Sequence, residues 1–158
     1  MTVEPTGLYL LPEKSYLGAS SDGKVFCSNL DTCCVGCIEI KCPYSIDGCV
    51  TVELDPDEIE RKYGRNFFMH RGEDGFLHLP HTHPYFAQVQ GEMAILNVEW
   101  CDFVVFSNDV VVVDRILADY DYWSELCETL EEFYVHHVIP EILSGTIFKE
   151  EYATTFEF

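Results

Sequence analysis

Apolar and polar residues alternate along much of this chain with the period of a β-strand, and two stretches switch to the period of a helix. GLYLL at residues 7–11 reads as a short strand. Asp22-Gly23 closes the turn GASSDG, and Lys24 to Cys27 continues as a strand. The polar run Ser28 to Cys34 reads as a connection, and Cys37 to Cys42 as the antiparallel partner. Asp57 to Tyr63, following Pro56, has the composition of a short helix. Phe67 to Met69 and Phe76 to Leu79 flank a Gly-Glu-Asp-Gly turn and predict a small hairpin. A helix is expected from about Thr82 to Asn97, with Thr82 as its cap and Pro84 in its first turn. Glu99 to Ser107 and Val110 to Leu117 predict a hairpin turning at Asn108-Asp109. Asp119 to about His137 reads as a long helix with Trp123, Leu126, Leu130, Phe133 and Tyr134 on one stripe, broken or bent by Pro140. Strands, helix, strands, helix make a mixed α/β domain over residues 1–143, followed by a tail at 144–158. Trp100, Phe103, Val105 and Val111 to Val113 are its expected sheet core.

One strand departs from a simple pattern. In GCIEIKCPY, residues 36–44, Ile38 and Ile40 share one face while Glu39 and Lys41 share the other. On an edge strand this would be a solvated ion pair. It also suits a catalytic strand. Pairing the two strands brings Asp22 toward Glu39, and two converging carboxylates repel unless a cation lies between them. Mg²⁺ is a hard ion that takes oxygen ligands and fits such a pair. A lysine beside it can orient a water or stabilise charge on a phosphate. The spacing Asp-x16-Glu-x-Lys is by itself a weak pattern that also arises by chance.

Composition narrows the compartment and the partners. The chain has 158 residues, 47% of them hydrophobic, enough for a core. It has no apolar run long enough for a membrane span and no basic region leading into an apolar one at Met1 to Tyr16. An intracellular, non-secreted protein in cytoplasm or nucleus is expected, with its 8 cysteines as thiols at irregular spacing. The formal charge is −19, from 28 acidic and 9 basic residues. From Ile116 to Phe158 there are ten acids against the single base Lys149. Such a balance opposes non-specific binding to nucleic acid.

LGASSDG, GCIEIKCPY, HPYFAQVQGEM and EWCDFVVFS follow one another at residues 17–107. Together they resemble the YqaJ-type viral recombinase domain, a branch of the PD-(D/E)XK nuclease superfamily related to lambda exonuclease. The resemblance spans roughly residues 7–143. It implies a restriction-endonuclease-like central mixed sheet flanked by helices. It further implies a Mg²⁺- or Mn²⁺-dependent exonuclease that digests one strand of duplex DNA from its ends, in recombination or repair. Asp22 and Glu39 then correspond to the metal-binding acids, Lys41 to the catalytic lysine and Gln88 to a glutamine of the active site. The carbonyl of Ile40 would be a further metal ligand, and the Ile face of the strand would pack under a helix. Two features depart from the family pattern. Ser21 stands where a proline usually precedes the aspartate, and the family's N-terminal helices, which supply an upstream glutamate, are missing before GLYLL. The competing expectation is therefore a catalytically incomplete nuclease fold serving as an acidic protein-binding module.

Other residues carry weaker signals. Arg61, Lys62, Arg65 and Arg71 cluster between the Glu39 strand and the Gln88 helix and are candidates for the DNA approach, with Tyr85 lining the cleft. His78, His81 and His83 have a spacing that zinc would accept, although loop and capping roles are simpler. Cys33, Cys34 and Cys37, with Cys27, Cys42 and Cys49 near them, could bind zinc or an iron–sulfur cluster; buried thiols and a loop explain them more simply. Cys101 and Cys127 stand isolated in sequence. Gln90 fits either an exposed helix face or the site. The acidic helix is a solvated face or a surface for a basic protein or a neighbouring subunit, and related exonucleases form oligomeric rings.

Overall fold

A computed structural model of the chain describes residues 1–29, 32–43, 68–107 and 110–145. The helix expected at Asp57 to Tyr63, the strand start at Phe67, and Arg61, Lys62, Arg65 and Cys49 lie outside the described residues. The chain divides into two compact units, Met1–Trp123 and Ser124–Phe158.

The first unit is built on a five-stranded mixed sheet in the order β1-β4-β5-β8-β9. These strands are β1 (Thr2–Glu4), β4 (Gly23–Asn29), β5 (Thr32–Lys41), β8 (Trp100–Ser107) and β9 (Val110–Leu117). All neighbours are antiparallel except β5 and β8, whose parallel pairing sets Cys37 opposite Cys101 and Glu39 opposite Phe103. Two small hairpins accompany it: β2 (Tyr9–Leu11) with β3 (Lys14–Ala19), and β6 (His70–Arg71) with β7 (Leu77–His78). The β4–β5 hairpin is longer than its polar middle predicts. Thr32 to Cys34 extend the ladder, with Cys27 opposite Cys34, so these cysteines lie on a strand and not on a loop.

Helix α1 (Pro84–Leu96) covers one face of this sheet. His83, not Thr82, caps it: the His83 ring nitrogen Nδ1 accepts from the Tyr85 amide at 3.1 Å. Asn97 ends the helix in the left-handed region at φ 53°, a conformation asparagine tolerates. Phe86, Val89, Met93 and Leu96 recur at helical spacing and are buried against Cys37, Cys101, Phe103, Val105 and Ile116. Because side chains alternate along β5, the face carrying Cys37, Glu39 and Lys41 lies beneath α1. This corrects the expectation that the Ile face lies under a helix; Ile40 is 41% exposed on the opposite face. Val111 and Val113, also expected in the core, are exposed. On that opposite face Trp100 is held between two neighbours. A Cβ on Gly36 would come within 2.3 Å of its indole, and the Arg115 guanidinium lies 4.0 Å from its ring centroid. Arg115 is itself fixed by a two-pronged ion pair to Asp102 at 2.7 and 2.8 Å.

Helix α2 (Tyr120–Phe133) begins in the first unit and continues into the second. In the second unit it widens at Tyr134–Val138 into a π-type turn, in which the Ile139 amide reaches the Tyr134 carbonyl. Helix α3 (Ile139–Ser144) follows, so Pro140 sits in a first helical turn and not at a break. Among the described residues no helix is long and apolar enough to cross a membrane.

Candidate functional site

The site forms where β4 begins, β5 ends and α1 passes over them. Gly23, opposite Ile38, is the first residue of the β4 ladder, and Asp22 lies one residue before it. The Asp22 amide donates to the Ile38 carbonyl at 3.1 Å, and its carboxylate Oδ2 accepts from the Ile40 amide at 2.7 Å. Asp22 is thus latched to the strand that carries Glu39 and Lys41. Ser21 is buried, and its carbonyl accepts from the Thr6 hydroxyl. The Ser21 hydroxyl donates to the Gly23 carbonyl at 3.4 Å across the turn.

Glu39, Lys41 and Gln88 meet in one network. Lys41 Nζ lies 2.6 Å from Glu39 Oε1 and donates to Gln88 Oε1 at 3.1 Å. Gln88 Nε2 donates to Glu39 Oε1 at 2.7 Å. The ammonium also lies 4.4 Å from the centre of the Tyr85 ring, within cation–π range. This is not the solvated pair of an edge strand, because Glu39 is only 5% exposed and its buried Oε2 has no hydrogen-bond partner among the described residues.

The residue that sequence reading missed is Glu92. It lies four residues after Gln88, one helical turn on, and its Oε1 accepts from Gln88 Nε2 at 2.8 Å. It is 3% exposed, and its buried Oε2 likewise has no partner among the described residues. Burial pushes its carboxyl up to about 7; the Gln88 hydrogen bond opposes that rise and the nearby Glu39 charge adds to it. Its sequence neighbours Val89, Met93 and Leu96 are core residues, but the helix is apolar on most of its sides, so no face contrast marked Glu92 as buried.

Carboxylate oxygens are the donor type that a hard divalent ion takes. Asp22 and Glu39 offer carboxylate oxygens from adjacent strands, and the unpartnered Glu39 Oε2 is the kind of buried acceptor that a cation satisfies. Ile40 contributes its amide to the Asp22 carboxylate.

The remaining candidates lie elsewhere. Gln90 is buried and structural: its Nε2 donates to the Leu117 carbonyl at 2.9 Å and its Oε1 accepts from the Asp119 amide at 2.8 Å. His83 caps α1, and His81 stacks on Phe86 with ring centres 4.2 Å apart. His78 bridges Asp114 at 2.9 Å and Asp74 at 3.0 Å, and these partners raise its pKa against the opposing effect of burial. Arg71 lines a separate cavity together with His70, His78 and Asp114, and donates to the Gly75 carbonyl at 3.2 Å. Cys101, isolated in sequence, is the register partner of Cys37. Both thiols are fully buried, and their mutual hydrogen bond, burial and nearby charge push the Cys101 thiol far up. With Glu92 they offer three donor atoms within 4.8 Å of one another.

No family model matches this chain, and no curated protein matches it. Solved structures do. An alkaline exonuclease, LHK-Exo from Laribacter hongkongensis, aligns with a TM-score of 0.52 at 22% identity, covering 98% of this chain. The same enzyme in complex with dAMP aligns with a TM-score of 0.51 at 24% identity. The chain spans 63% of the length of those structures. It shares their nuclease-like fold: a central mixed sheet with a helix across the face that bears Glu39.

Proposed function

We propose that this chain is a metal-dependent DNA exonuclease that hydrolyses phosphodiester bonds from duplex ends, of the YqaJ-type and lambda-exonuclease-like kind, acting in recombination or repair. The observation that carries this reading is the convergence of Asp22, Glu39, Lys41 and Gln88, which are far apart in sequence, at one end of adjacent strands beneath the helix. A fold shared with LHK-Exo, an alkaline exonuclease, supports it.

Asp22 and Glu39 would hold Mg²⁺ or Mn²⁺, with the Ile40 carbonyl as a third oxygen. When bound, the ion supplies a lowered water pKa and neutralises charge on the phosphate. The chain's own residues do the rest. Lys41 is an ammonium with three donors, of which Glu39 and Gln88 take two; the third can hold the attacking water or a phosphate oxygen. Glu39, Gln88 and the Tyr85 ring fix where that ammonium points. Arg71, with Arg61, Lys62 and Arg65, would steer the DNA backbone toward the cleft, and Tyr85 would line it. Enclosure of DNA by several subunits would let these few cations act locally despite the net charge of −19.

The test is digestion with Mg²⁺ or Mn²⁺ of linear duplex DNA beside the same DNA as a covalently closed circle. Loss of the linear form alone is expected. Equal cutting of the circle would replace the exonuclease reading with an endonuclease.

A further inference from the structure

We propose that Glu92 is a positioning residue of this site, acting through Gln88; the inference rests on the nuclease reading above. Gln88 is exposed, so packing does not hold its side chain, and a glutamine of that kind samples several rotamers. What fixes it is three hydrogen bonds. Its two Nε2 protons go to Glu39 Oε1 at 2.7 Å and Glu92 Oε1 at 2.8 Å, and its Oε1 accepts from Lys41 at 3.1 Å. Turning the amide over would set its oxygen against two carboxyl oxygens and its NH₂ against an ammonium, so the network admits one orientation.

The two carboxyl groups do not contribute alike. Glu39 Oε1 is also engaged by Lys41 at 2.6 Å, and Glu39 is the group proposed to face the ion. Glu92 Oε1 receives Gln88 from the same helix, one turn away, where residues four apart are neighbours. It is therefore the anchor that ties Gln88 to α1 independently of what Glu39 does. Its role needs only an acceptor oxygen, which the acid and the carboxylate both provide. Its cost supports a purpose: the group is 3% exposed, feels the Glu39 charge, and carries a buried oxygen without a partner among the described residues.

The test compares Glu92→Gln and Glu92→Met with the wild type on linear duplex DNA, alone and combined with Gln88→Met. Glu92→Gln keeps an acceptor oxygen in place and should stay within about threefold of wild type, while the apolar Glu92→Met should lose about three- to tenfold in kcat with KM for DNA unchanged. The Glu92→Met/Gln88→Met double variant should be no slower than Gln88→Met alone. A Glu92→Met enzyme as fast as wild type, a Glu92→Gln enzyme as slow as Glu92→Met, or losses that multiply in the double variant would each overturn the proposal. The side-chain amide NMR signal of Gln88 reads the same clamp without catalysis. Slow proton exchange there should survive Glu92→Gln and be lost in Glu92→Met, and protection unchanged in Glu92→Met would also overturn it. A folded wild type that is inactive yet shows this protected amide would sink the nuclease reading and leave the clamp standing.

Discussion

Glu92 is an acid held at 3% exposure with a second carboxylate nearby, and that placement has a consequence for stability. Its ordinary pKa of 4.5 rises to about 7 in the folded, metal-free chain. Between those values the folded protein keeps a proton that the unfolded chain has released, so stability falls as pH rises through the window and levels off above it. The full effect is on the order of 3 kcal/mol. Urea unfolding of the wild type and Glu92→Gln, both in chelator, should give curves that separate between pH 4.5 and 7, with the variant gaining. Parallel curves would show that Glu92 is not protonated there. At this scale the sequence was partly legible. A resemblance singled out Asp22, Glu39, Lys41 and Gln88, and the fold joins the last three in one network with Asp22 bonded to the neighbouring Ile40 amide. Glu92 was not singled out, because one acid in a helix has no meaning until the helix's buried side is known.

Strand and helix positions were legible because alternation and 3.6-residue periodicity are local properties. The face of β5 that is covered is not local: it depends on where α1 crosses the sheet, and Ile38 and Ile40 drew the expectation to the wrong side. The length of the β4–β5 hairpin was underestimated for a related reason, since Thr32 to Cys34 pair across the ladder despite their polar surroundings. Gly36 shows an element-scale constraint that no pattern announces. Its missing Cβ leaves room for the Trp100 indole, which would otherwise be 2.3 Å away. Gly36→Ala should therefore cost about 1–3 kcal/mol, seen as a lower urea midpoint and altered tryptophan fluorescence. An unchanged midpoint would mean that Trp100 can move aside freely.

At the scale of the whole molecule, the charge of −19 and the site's proposed substrate pull in opposite directions. Binding DNA releases counterions in proportion to the phosphates neutralised. If Arg61, Lys62, Arg65 and Arg71 are the chain's phosphate contacts, the plot of log affinity against log salt should have a slope no steeper than about −3.6 per chain. Reversing those four charges should abolish binding in a gel-shift titration, and unchanged binding would remove them from the DNA path. The same charge balance motivated the competing picture of an acidic binding module, and the two pictures differ in one observable. End-labelled linear duplex DNA, incubated with Mg²⁺ or Mn²⁺ and the wild type, Glu39→Ala or Lys41→Ala, measures it directly. The account predicts metal-dependent loss of label by the wild type and a loss of at least about a hundredfold in rate in either variant. Folded wild-type protein that leaves the DNA intact, or variants that digest it as fast as the wild type, would contradict the account.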